Sequence, residues 1–136
     1  MKRKLSVLLA AILFFTIVGC ATTSTTLTSA QQYDLNFYKI LAGAKASYDT
    51  AFTLLADLQK QGKLSDESAK KAIDAGNMFY LTYLVAVSTY EVYHRQVVAT
   101  PGQVPTNQVT LERQLQDISS KLGAFLATLP KEGGTK

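Results

Sequence analysis

Two residues of this chain bring chemistry that the others do not: Cys20 is its only cysteine and His94 its only histidine. A lone cysteine has no partner for an internal disulfide, so packing alone must hold the domain. Its setting says more than its count. Cys20 follows a basic start (Lys2, Arg3, Lys4), an apolar run from Leu5 to Val18 and the small residue Gly19. His94 has Glu91 and Arg95 as helical neighbours, which can make a surface pair but supply too few ligands for a metal site. No nucleophile motif accompanies it, and there is no Gly-rich phosphate loop, because Gly133-Gly134 falls in the C-terminal tail. Neither catalysis nor a metal or other dissociable cofactor is expected.

The apolar run is too short to span a bilayer. At a rise of about 1.5 Å per residue, a helix over Leu5 to Val18 is roughly 21 Å long, against a hydrocarbon core of roughly 30 Å. The apolar segment of a cleaved signal is commonly about 7 to 15 residues. The layout resembles the signal peptide of a bacterial lipoprotein, with Ile17-Val18-Gly19-Cys20 as the lipobox. The resemblance implies cleavage between Gly19 and Cys20, with the small Gly19 giving the peptidase access to the bond. It also implies a diacylglyceryl group on the Cys20 thiol and an N-acyl chain on the freed amino group. At about 0.8 kcal/mol per buried methylene one chain binds only marginally, whereas two or three make the attachment effectively permanent. In Gram-negative sorting of this family, Asp after the lipidated cysteine favours inner-membrane retention. This chain has Ala21, which by the same resemblance implies an outer-membrane protein facing the periplasm.

Removing residues 1–19 changes the charge argument. The whole chain carries +4 with a sequence pI near 9.2. Three of its 14 basic residues precede Cys20, leaving 11 against 10 acids, or +1. The expected mature domain is nearly neutral and has no basic stripe to track phosphates, so nucleic acid is not an expected partner. Its 117 residues (136 less 19) suffice for one domain with an apolar core.

Residues 20–31 are dominated by Thr, Ser and Ala, without helical periodicity, and read as a flexible tether. Ten such residues reach roughly 18 Å, enough to hold a body off the headgroups. Beyond them the pattern is helical. Phe37, Leu41, Ala44, Tyr48, Phe52, Leu55 and Leu58 recur every three or four residues and predict a helix from about Gln32 to Lys60. Gly62 suits the left-handed position after a helix, and Ser65-Asp66-Glu67 restarts one with an N-cap and two acids in its first turn. The second helix is expected from about Asp66 to Val98, before Thr100-Pro101-Gly102. The third is expected from Thr106 or Asn107 to Pro130, with Leu111, Leu115, Ile118, Leu122, Phe125 and Leu129 forming a heptad seam. The expected fold is all-α: an antiparallel three-helix bundle over 32–130, preceded by the signal and tether and followed by a frayed tail at 131–136. A hairpin loop centred at Gly62-Lys63 sets facing residues to numbers summing to about 125. Tyr48 then opposes Gly76-Asn77, and Ala42-Gly43-Ala44 opposes Tyr80 to Tyr83.

The second helix carries no charge from Ala75 to Tyr90, and its apolar residues cover more than one face. Two neighbours cannot cover a helix all round, so part of it is available to a protein partner or a second copy of the chain. Tyr80, Tyr83, Tyr90 and Tyr93 are the candidate interface, since Tyr combines apolar area with a polar handle. The leading expectation is therefore a membrane-anchored periplasmic lipoprotein, acting as a non-catalytic interaction or structural module of the envelope. A bundle holding a small apolar or aromatic ligand in a cavity lined by Phe79, Tyr83 and Phe125 is the alternative. A second resemblance bears on biology. Gly62-Lys63-Leu64-Ser65-Asp66-Glu67, followed by Ala, Tyr and Val at helical spacing, resembles small helical proteins encoded by phages and prophages near lysis functions. It implies a prophage envelope lipoprotein linked to lysis or exclusion.

Overall fold

The first helix begins at a capping box. In the computed structural model, which describes residues 27–130, the Thr28 hydroxyl accepts from the backbone N–H of Gln31 (3.3 Å). The Gln31 side chain accepts in turn from the Thr28 N–H (2.9 Å). Two N–H groups with no partner inside the helix are thereby satisfied. Helix α1 spans Ser29–Lys60, so it starts three residues before the expected Gln32 and includes residues 29–31, which the sequence assigns to the expected tether. The expected signal peptide, Cys20 and the expected frayed tail at 131–136 lie outside the described residues.

At the far end of α1, Gly62 has φ +65°, a conformation that costs glycine little. Its N–H donates to the Gln59 carbonyl and that of Lys63 to the Leu58 carbonyl, each at 3.0 Å, closing the helix with a Schellman motif. Ser65 caps the next helix, accepting from the Ser68 N–H at 3.2 Å, with Asp66 and Glu67 in the first turn. Helix α2 spans Asp66–Ala99 and helix α3 spans Gln108–Thr128. Asn107 precedes α3 without capping it; its amide instead donates to the Thr89 carbonyl of α2 at 3.1 Å, pinning the loop to the helix it left.

The described residues form three helices and no strand, packed as a three-helix bundle in which α2 meets α3 most extensively. The heptad seam of α3 turns inward as expected: Leu111, Leu115, Ile118 and Phe125 are buried, with Leu122 and Leu129 partly so. Against them lie Phe37, Leu41, Ala44, Ala51 and Leu55 of α1, and Ala72, Phe79, Ala86, Tyr93 and Val97 of α2. Tyr48 and Leu122 touch both halves of this core and join them. Among the described residues no helix is long and apolar enough to cross a membrane.

Candidate interaction surface

The two sides of α2 differ in chemistry. Its inner side is small and aromatic: Ala69, Ala72, Gly76, Phe79, Ala86, Tyr93 and Val97 are buried against α1 and α3. Its outer side is aliphatic and open. Leu81 is 65 % exposed, Val85 56 %, Met78 54 %, Leu84 45 % and Val92 38 %. Met78, Leu81, Val85, Ser88 and Val92 follow one another by steps of three and four, which places them along one line of the helix. Beside this line, the hydroxyls of Thr82 and Thr89 donate to the carbonyls of Met78 and Val85 at 3.0 and 3.1 Å. Those two polar groups are satisfied within the helix, so they add little polarity to its outer surface.

The four candidate tyrosines lie beside this line, and they differ in exposure. Tyr93 is fully buried, edge-on to Phe37 with centroids 5.1 Å apart, and its hydroxyl donates to the Ala30 carbonyl and to Gln108 Oε1, both at 3.4 Å. Tyr83 is half-buried and stacks on Phe79 at 5.9 Å. Tyr90 is half-buried beside His94, with ring centroids 5.9 Å apart. Tyr80 is the most exposed of the four, at 39 %, and it stacks on Tyr48 of α1 at 5.9 Å. The rings pack on the flank of α2 that faces α1, and the aliphatic residues take the outside. Burial raises the phenol pKa of Tyr48, Tyr83 and Tyr93. Tyr90 is pushed up to about 12, first by burial and then by the Asp34 carboxylate.

Three further placements bear on function. The His94 ring meets neither Glu91 nor Arg95 but Asp34 of α1, with Nδ1 2.9 Å from Oδ2. This pair ties the start of α1 to the end of α2. Phe79 and Phe125 are fully buried and both pack against Tyr48, with ring centroids 4.9 and 5.4 Å from it. A cleft of about 460 Å³ lies on one helix, lined by Tyr48, Asp49, Phe52, Thr53, Ala56, Asp57 and Lys60 of α1 and open to solvent. On its rim the Lys45 ammonium sits 2.6 Å from the Asp49 carboxylate, which holds its pKa above the ordinary lysine value. Among the described residues no three His, Cys, Asp or Glu side chains converge as metal ligands would.

The absence of charge between Ala75 and Tyr90 is visible in the sequence, but which of these residues face outward is not. Comparison with known proteins finds no matching family model, no significantly similar curated protein and no significantly similar solved structure.

Proposed function

We propose that this protein is a lipid-anchored, non-catalytic interaction module of the bacterial envelope. In this reading Cys20 carries the diacylglyceryl and N-acyl groups and residues 21–27 form the tether. The bundle stands in the periplasm at the outer membrane and offers the outer side of α2 to a protein partner. The observation that carries it is the uncharged line Met78, Leu81, Val85, Ser88 and Val92, apolar but for Ser88 and exposed on the side of α2 away from its own core. Contiguous exposed apolar surface of this kind marks interaction sites in soluble domains. The anchor is supported by the basic, apolar and small-residue order that ends at Cys20.

The anchor is tested by growing cells that express the full chain with radiolabelled palmitate. The native chain should be labelled, fractionate with outer membranes and have lost residues 1–19. Cys20→Ser should give an unlabelled, uncleaved precursor. A native chain that is recovered soluble, unlabelled and with its first residues intact overturns the reading.

A further inference from the structure

We propose that the partner of the outer side of α2 is a second copy of the chain, paired antiparallel about a two-fold axis near Leu84 and Val85. This rests on the reading of that side as an interaction surface and names its occupant. Three observations carry it.

The first is spacing. Met78, Leu81, Val85, Ser88 and Val92 repeat the three-and-four pattern that α3 uses on its inward seam, and this pattern suits one helix packing along another. Helix α2 therefore has two seams, and its own bundle occupies one.

The second is charge. The aliphatic line ends at Asp74 on one side and Arg95 on the other; both are exposed, and among the described residues neither has an ion-pair partner. An antiparallel pair sets Asp74 of each copy against Arg95 of the other, twice by symmetry. A parallel pair would set Asp74 on Asp74 and Arg95 on Arg95. The midpoint between positions 74 and 95 falls between Leu84 and Val85, in the middle of the apolar line. Matching the opposite charges thus also sets Val85 beside Val85 and Met78 beside Val92, with Leu81 opposite Ser88.

The third is extent. From Met78 to Val92 the line runs about 21 Å, or two heptads, shorter than the three or four that an isolated coiled coil needs. Because α2 is already folded by its own core, pairing pays no helix-forming entropy. The interface belongs to the small class under about 1,200 Å², which associates reversibly. Confinement of both copies to one membrane surface favours such a weak contact.

Disulfide trapping in membranes from cells expressing the full chain tests the pairing, with the chain bearing no added cysteine as control. Val85→Cys should cross-link to itself under mild oxidation, since Cα atoms within about 7 Å can be bridged. With two differently tagged copies, Asp74→Cys in one and Arg95→Cys in the other should give the mixed dimer. Abundant Asp74→Cys homodimer would show a parallel pair and overturn the proposal, as would monomer for every variant. In sedimentation equilibrium of the detergent-solubilised full chain, Arg95→Asp should weaken the dimer about tenfold, and adding Asp74→Arg should restore it. Restoration cannot come from a fold defect. If no cross-link forms while Leu81→Asp abolishes capture of another envelope protein, self-pairing fails and the interaction reading stands. Palmitate labelling of the same samples registers loss of the anchor separately.

Discussion

Tyr48 of α1 lies over Gly76 of α2: a Cβ placed on that glycine would stand 3.4 Å from Cε2 of Tyr48 and 3.3 Å from Cε2 of Phe125. Gly76 is thus the position in α2 where two rings from two other helices close on the backbone. Gly76→Val should lose about 1–3 kcal/mol through overpacking, read as a lower urea midpoint. Gly43 makes the contrast. It is exposed within α1, with nothing within 4 Å of a Cβ placed there. Gly43→Ala should gain about 0.5–1 kcal/mol from helix propensity. Equal effects at the two sites would contradict the packing described.

The Tyr48–Gly76 contact was legible in the sequence because a short loop with an obligatory glycine fixes the register of a helical hairpin. The same rule placed Ala42-Gly43-Ala44 opposite Tyr80 to Tyr83, yet of those three only Ala44 is buried, because register does not fix rotation. Rotation of α2 was hidden for a related reason. Between Ala75 and Tyr90 its residues are apolar or uncharged on every side, so no polar face marks the outside. The positions of α1 and α3 decide it, turning Tyr93 inward and Leu81 outward. The Thr28–Gln31 capping box has a sequence signature, but it sits at the end of a Thr/Ser run that reads as a tether. The Asp34–His94 pair joins residues sixty positions apart, which no local pattern reveals.

The buried Tyr93 hydroxyl has one proton and two acceptors, each 3.4 Å away, one on α1 and one on α3. Bonds of that length contribute little, whereas the ring is fully buried against Phe37. Tyr93→Phe should therefore cost under about 1 kcal/mol, and Tyr93→Ala about 3–5 kcal/mol. Chemical denaturation of the two variants separates the ring from its hydroxyl. A large loss in Tyr93→Phe would mean that the polar link, not the ring, holds the three helices at that end.

Tyr90 sets an alkaline limit. Its phenol is raised to about 12 in the folded protein, against about 10 when unfolded, so the native state holds this proton more tightly. Stability from this group is complete below about pH 10 and is lost as pH rises through about 12. Tyr48, Tyr83 and Tyr93 shift in the same direction and add to the slope. Urea midpoints should hold between pH 7 and 9 and fall above 10, with a shallower fall in Tyr90→Phe. A flat profile up to pH 11.5 would show that these phenols titrate as if exposed.

Leu81 and Leu111 carry the same side chain in opposite surroundings, one 65 % exposed on the outer side of α2 and the other fully buried beneath α3. Leu111→Ala removes buried methyl groups and leaves a cavity, so it should cost about 2–5 kcal/mol. Leu81→Glu places a charge where water already reaches and keeps a good helix former, so the isolated fold should change by no more than about 0.5 kcal/mol. Thermal melts read at low protein concentration make the comparison without contribution from pairing. If Leu81→Glu proves as costly as Leu111→Ala under those conditions, the aliphatic line belongs to the chain's own core. The outer side of α2 would then be unavailable to any partner.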